Sequence, residues 1–395
     1  MEALFVHDHI FYRDTKNNFY TSGKLPYEIW TRYLKSFDKL TIAARVKDID
    51  DSHDLSKLNL SSGPNVSFLP LPSISSATGI IKHKRTAKER LFNKISSIDA
   101  VIVRLPSELG SLATSISQKL NKPYAVEVVA YAWDALWNYG SLVGKLYAPW
   151  ANMRVKKQVS RAPFALYVTE KYLQSKYPTH GVTTNVSNVE LLPFDTDIIL
   201  SKRINRIRTT GKVIRVGLIA SLSSEYKGID TAINALKEVK LKTSTDFELH
   251  ILGDGDKSKW EELAKVQGIQ DNIFFDGTLP AGNPVYEWLD SIDIYIHPSK
   301  QEGLPRAVIE AMSRGCPIIA SSVAGIPELI SAENLHSPGD ISKLTSLLVE
   351  KIGDFDWYEE QANRNIKVSE KYLKPTLDNR RNNFWLEFSK YASQK

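Results

Sequence analysis

Short apolar runs alternate with helix-like stretches along this chain, and they do so in two separate series. The first series holds ALFV, KLTIAARV, VSFLPL, DAVIVRL, YAVEVVA, FALYV and VELLPF. Between several of them lie segments of helical character, such as SELGSLATSISQKL and PWANMRVKKQVSRA. A continuous apolar run reads as a strand buried on both faces, and alternation with helices implies a mostly parallel, covered sheet. VIRVGLIA, FELHILG, NIFFDG, IDIYIHP and PIIASSV repeat the arrangement after a polar, basic stretch, TDIILSKRINRIRTTGK. The fold class is therefore α/β, with a domain over residues 1–195, a linker over 196–212 and a second domain over 213–374. The segment 375–395 follows a break at Pro375. It carries Leu377, Phe384, Trp385, Phe388 and Tyr391 close to a three- or four-residue spacing, an apolar stripe that must pack on something.

Composition narrows the function classes. With 42% hydrophobic and 24% charged residues over 395 positions, the chain is neither disordered nor fibrous. A single cysteine, Cys316, leaves no disulfide framework and no multi-cysteine zinc cluster within the chain, and it suits a reducing compartment. No apolar run reaches the length of a membrane span, and MEALFVHDHIFY lacks the basic start and small-residue cleavage site of a secretory signal. The expected setting is cytoplasmic. The net charge of +6 fits an anionic substrate, an anionic membrane surface or nucleic acid, without choosing among them.

In an open parallel sheet, ligands bind at the carboxyl ends of the strands. After VIRVGLIA comes SLSSEYKGID and then a helix, TAINALKEV. Ser223 offers an anion a hydroxyl and a backbone donor, Lys227 brings a charge, and Gly228 permits close approach. This reads as a diphosphate site or, alternatively, as a solvated lysine at a turn. Gly253, which ends FELHILG, and Gly255 in the DGD that follows read as a simple turn, since GxGxxG is not present.

The stretch HPSKQEGLPRAVIEAM is more informative. IDIYIHPS is a strand ending at Pro298, KQEG is loop, Pro305 suits the first turn of a helix, and RAVIEAMSRG is that helix, closed by Gly315. Glu302 then lies ahead of the helix and Glu310 about five residues inside it, roughly 7–8 Å along the axis. A carboxylate does not face a phosphate comfortably, so each glutamate suits ribose or hexose hydroxyls, with the backbone N–H groups of Gly303, Leu304 and Ala307 turned to an anion between them. The plainer alternative is one loop glutamate and one on a solvated helix face. Against it, Ala307, Val308, Ile309 and Ala311 make this helix mostly buried, and a glutamate there needs a partner.

EGLPRAVIEAMSRGCPIIASSVAGIPELI, with its two glutamates and following glycines, resembles the signature of the retaining glycosyltransferases of family 4, of GT-B fold. The YKGID loop is similar to that family's donor-phosphate loop. The resemblance is strong over about 213–340 and weaker in the first domain, where YVTEKYLQSKYP carries it. It implies two Rossmann-like domains facing a central cleft, and a donor, a UDP- or GDP-sugar, bound mainly by the second. Lys227 would hold the diphosphate, Glu310 the ribose and Glu302 the transferred sugar, with Gly303 and Leu304 near the phosphate. No cofactor and no metal are implied. The acceptor would be a glycan or lipid-linked glycan, in polysaccharide or glycolipid assembly of the bacterial surface type. The final helix would cross back to the first domain.

Two departures from the family pattern stand out. Ser221 occupies the position of an arginine six residues before the phosphate lysine, and no histidine follows the strand near VEVVAYAWD. Trp133–Asp134 resembles an aromatic–Asp variant of that loop, in which Asp134 orients an acceptor hydroxyl or the donor sugar; otherwise Asp134 is a helix N-cap. In NNFYTSGKLPYEIW, Gly23 would let backbone amides approach the donor phosphates, or else the segment is a surface loop. His7 and His9 close the first strand, beside an acceptor path or as structural histidines. The stretch IKHKRTAKERLFNK, residues 81–94, offers six lysines and arginines with Ile81, Leu91 and Phe92 as anchors for an anionic membrane, or is a solvated helix face. Two rival functions share the fold: a GT-B subunit that binds without turnover, and a nucleotide-sugar epimerase. Nucleic acid is not an expected partner.

Overall fold

The computed structural model describes residues 1–23, 25–50, 52–137, 142–209 and 213–395. The chain divides into two compact units. The first is Met1–Val186 with Asp378–Lys395, and the second is Ser187–Leu377.

The first unit is built on parallel strands in the spatial order Val66–Leu71, Lys39–Asp48, Glu2–Arg13, Ala100–Leu105, Tyr124–Val128, Phe164–Tyr167 and Val182–Asn185. Chain order reverses beside Glu2–Arg13, so the sheet has a switch point between that strand and Ala100–Leu105. The apolar runs form the core because nearly every side chain in them is covered: Ala3 to Val6 and Val101 to Val103 have no exposed surface. Val182–Asn185 escapes a reading by hydrophobicity because it is a polar edge strand. VELLPF is not a strand; Leu191 makes a single bridge to Leu373, and Pro193 has no N–H to extend a ladder.

His7 and His9 do not close the first strand. The strand runs on to Arg13, and its register against Lys39–Asp48 shifts between Val6 and Ile10. His9 meets the Thr21 hydroxyl at 2.6 Å, across from the short antiparallel strand Phe19–Thr21. The basic residues 81–94 lie on the helix Ala77–Ser97. Ile81 and Phe92 are exposed there, whereas Leu91 is buried in the core and serves no membrane.

The second unit holds a six-stranded parallel sheet in the order Ile273–Gly277, Asp246–Leu252, Val213–Ile219, Ile294–His297, Ile318–Ser321 and Leu335–His336. This is the doubly wound order, with its switch point between Val213–Ile219 and Ile294–His297.

The stretch expected as a linker departs from that reading. Thr196–Thr209 is a helix of the second unit, while 210–212 lie outside the described residues. Ile199, Arg203 and Ile207 recur every four residues and are buried. Arg203 donates to the carbonyls of Leu289 at 2.9 Å, Ile292 at 2.5 Å and Arg314 at 2.9 Å. A buried guanidinium satisfied this way holds the helix against strand and helix ends that would otherwise leave carbonyls unpaired.

The last helix is Lys374–Ser393, with Pro375 in its first turn, where the missing N–H costs nothing. From Asp378 onward it belongs to the first unit. Phe384 and Phe388 meet Phe164 at ring distances of 5.7 and 5.2 Å, Trp385 meets Tyr33 at 5.2 Å, and Phe388 meets Phe37 at 6.1 Å.

Candidate active site

Two loops leave the carboxyl ends of the strands that flank the second unit's switch point. The first, after Val213–Ile219, ends in the turn Glu225–Lys227 and Gly228. Gly228 has φ +74°, and a Cβ there would fall 2.1 Å from the Pro298 carbonyl oxygen. No other residue lets the loops meet so closely. The contact is tied by the Lys300 amide donating to the Tyr226 carbonyl at 2.7 Å and by Lys300 Nζ reaching Asp230 at 2.6 Å.

Gly253 and Gly255, read from sequence as a simple turn, form the next wall. A Cβ at Gly253 would lie 1.8 Å from the Ala220 carbonyl, and one at Gly255, whose φ is +118°, would lie 2.7 Å from Ser223 Oγ. The Leu222 amide donates to the Asp254 carbonyl at 2.7 Å, so this turn shapes the loop that carries exposed Ser223.

The second loop brings Glu302 to the first. Lys227 Nζ lies 2.6 Å from Glu302 Oε1, and His297 Nε2 lies 2.9 Å from the same oxygen. His297 closes its strand and is buried, with Ser299 Oγ at 3.3 Å from Nε2 and the Tyr295 hydroxyl at 3.4 Å from Nδ1. Burial pushes the Glu302 carboxyl up, but His297 and Lys227 outweigh it and hold the group at about 2. Sequence reasoning singled out Lys227 and Glu302 and passed over His297. Its signal was its place: a histidine at the end of an apolar strand, five residues before the glutamate.

The helix after this loop is Arg306–Ser313. Pro305 is its N-cap, at φ −71° and ψ 119°, rather than a residue of the first turn, and no side chain caps the helix. The amides of Arg306, Ala307 and Val308 therefore have no intrahelical acceptor, and the half-buried Gly303 and Leu304 lead into them. Gly303 is held from behind, where its carbonyl accepts from the Gly325 amide at 2.9 Å. Glu310 sits in the second turn. Burial pushes its carboxyl up, against the pull of Arg306, and among the described residues it makes no hydrogen bond or ion pair.

The first unit has the equivalent helix, Glu108–Leu120, at its own switch point, but there the position is filled. Asp8 accepts from the amides of Glu108 at 2.6 Å and Leu109 at 3.0 Å, and the Ser107 hydroxyl accepts from Gly110 at 2.9 Å. One switch point is closed by a carboxylate of the chain. The other pairs a lysine with uncapped amides, and can take an external anion.

Asp134 and Gly23 belong to the first unit. Asp134 lies inside the helix Ala132–Trp137 and so is not its N-cap. It accepts from the Tyr172 hydroxyl at 3.3 Å, and burial pushes its carboxyl up. Trp133 and Trp137 stack at 5.3 Å on the same helix. Gly23 is exposed at φ +95°, with nothing near its missing Cβ; its neighbour Lys24 lies outside the described residues.

Residues 213–354 match the family described as glycosyl transferases group 1. The chain is 36% identical over 369 residues to Protein CapJ of Staphylococcus aureus, covering 93% of this chain and 90% of that one. It shares its fold with solved structures. HepE of Anabaena, in complex with UDP and glucose, superposes with a TM-score of 0.62 at 15% identity over 96% of this chain and 97% of that one. WaaG, a glycosyltransferase involved in lipopolysaccharide biosynthesis, gives 0.62 at 13% identity over 97% and 99%. On its likeness to CapJ along nearly its whole length and on the match of its second unit, this chain belongs to the group 1 glycosyltransferases and has the GT-B fold.

Proposed function

We propose that the protein moves a sugar from a nucleoside diphosphate donor to an acceptor hydroxyl, with retention of configuration, in polysaccharide or glycolipid assembly. The observation that carries this reading is the cluster of Lys227, Glu302 and His297 beside an uncapped helix start and the unpaired Glu310. Lys227 and the amides from Gly303 to Val308 take the diphosphate, with Ser223 and Gly228 on the loop that borders it. Glu310 accepts from the ribose hydroxyls, which supply the hydrogen bonds its half-buried carboxylate lacks. Glu302 accepts from hydroxyls of the transferred sugar. A carboxyl held at about 2 is ionised at neutral pH, so Glu302 acts as an acceptor and not as a general acid.

In the reaction, the bond between the anomeric carbon and the diphosphate oxygen breaks, and its electron pair leaves with the diphosphate. The acceptor oxygen attacks from the same face and passes its proton to the departing phosphate. The protein's part is to hold the partners in place and to stabilise the charge on the leaving group. Lys227 and the helix start supply that charge, so the reading needs no metal ion. Asp134 positions the acceptor or the donor sugar, and Gly23 lets backbone amides approach the phosphates. A lipid-linked acceptor would set the enzyme at the inner, anionic face of a membrane.

The support from relatives is that HepE holds UDP and glucose and that WaaG works in lipopolysaccharide synthesis. A thermal-shift screen with UDP, GDP, ADP and their sugars, followed by a transfer assay with the stabilising donor, tests the reading. A selective rise in the melting midpoint, and product only with an acceptor, is expected. Turnover of the donor sugar without an acceptor would favour an epimerase, and binding without any turnover a binding subunit.

A further inference from the structure

The helix Leu142–Ser160 packs beside Glu108–Leu120 in the layer covering the first unit's sheet. Ala148, Ala151, Val155 and Val159 bury its inner face. A surface helix of this kind ordinarily turns polar side chains outward. Here Leu142, Leu146, Trp150 and Met153 recur every three or four residues and share one outer face, with Val143 beside them. Leu142 is 79% exposed, Leu146 83% and Met153 62%. Single exposed apolar residues are ordinary, but a contiguous stripe of five marks a docking surface.

Charge identifies what docks. Between Leu142 and Ser160 there is no acidic residue, while Lys145, Lys156 and Lys157 accompany the stripe. Arg154, which lies 4.6 Å from the Trp150 ring, is paired with Glu108. On the other side of Glu108–Leu120 runs the helix Ala77–Ser97, with Lys82, Lys84, Arg85 and Lys88 exposed and Ile81 84% exposed. Glu108–Leu120 is mostly buried between them. Cations and apolar side chains thus share one side of the unit. A second copy of the chain would set lysines against lysines across a symmetric contact, with no acid in the helix to answer them.

We propose that this side docks on an anionic lipid bilayer, with Leu142, Leu146, Trp150 and Met153 entering the acyl boundary and the lysines meeting lipid phosphates. The inference rests on the lipid-linked acceptor proposed above only for its purpose; the physical case stands apart from the donor site, which lies in the second unit.

Flotation of the full-length protein with vesicles of phosphatidylcholine and phosphatidylglycerol, and of phosphatidylcholine alone, at low and high salt, tests it. Binding to the anionic vesicles, weakened by salt, is expected. Leu146→Glu with Trp150→Ser should lower it about tenfold or more at low salt, and Lys156→Gln with Lys157→Gln should lower it chiefly at low salt. The melting midpoint of each variant should match the wild type, which shows that the fold is intact. The proposal is overturned if neither vesicle floats the protein, if the Leu146 and Trp150 variant binds as well as wild type, or if the stripe instead supports a concentration-dependent dimer that Leu146→Glu disperses. Loss of donor binding in the wild type, with flotation intact, would overturn the glycosyltransferase site and leave the membrane face standing.

Discussion

Lys227 Nζ stands 2.6 Å from Glu302 Oε1, and the pair joins the two loops on either side of the second unit's switch point. Glu302 shares that oxygen with His297 at 2.9 Å. Because two groups hold the carboxylate, it would keep a partner if the lysine turned to a phosphate, as proposed above. His297 is buried at its strand end, whereas the Lys227 side chain is partly exposed.

That arrangement has a pH signature. Glu302 falls from an ordinary 4.5 to about 2 in the folded protein. A depressed carboxyl adds stability that is present above its unfolded value and is lost as pH falls toward the folded one. Stability measured by urea melts should therefore drop between about pH 4.5 and pH 2 in the wild type. Glu302→Gln should flatten that limb. An acid limb unchanged by the substitution would remove the role given to His297 and Lys227.

Glu310 carries the opposite sign. Its carboxyl is pushed up by burial, so ionising it costs stability as pH rises above the ordinary glutamate range. Glu310→Gln should raise the melting midpoint of the ligand-free protein at neutral pH. The same change should weaken donor binding roughly tenfold to a hundredfold, the loss of about 1.5–3 kcal/mol for a charged hydrogen bond. A stabilised variant that binds the donor as well as wild type would take Glu310 out of the site.

The C-terminal helix is anchored by rings. Trp385 is fully buried against Tyr33 and Phe388, and its indole N–H finds no partner among the described residues. Trp385→Ala should cost about 3–5 kcal/mol, and Trp385→Phe much less, since the apolar ring remains and an unpaired donor is removed. Hydrogen exchange should show lost protection over residues 1–186 in the alanine variant, with 213–340 little changed. Loss confined to the second stretch would contradict the packing.

Much of this was legible in the residues. Apolar runs marked the strands of both sheets because parallel strands are buried on both faces. The loop positions of Glu302 and Lys227 and the helix position of Glu310 were legible because strand, loop and helix follow one another closely around them. Thr196–Thr209 was not, since a polar, basic stretch reads as a linker and only the contacts of Arg203 with three carbonyls show why an arginine is buried there. His297 was missed because a histidine in an apolar strand looks like core until its partner is seen across the loop. Gly253 and Gly255 were missed because close packing against Ala220 and Ser223 leaves no trace in local sequence. The outer stripe of Leu142–Ser160 was missed because the periodicity of a helix does not say which face is covered.

The most direct test is calorimetry of Lys227→Ala with the preferred nucleoside diphosphate and with the bare nucleoside. If Lys227 leaves Glu302 to hold the diphosphate, affinity for the diphosphate should fall roughly tenfold to a hundredfold while affinity for the nucleoside stays near wild type. Equal losses for the two ligands, or none for either, would contradict the assignment of the phosphates to the Lys227 loop.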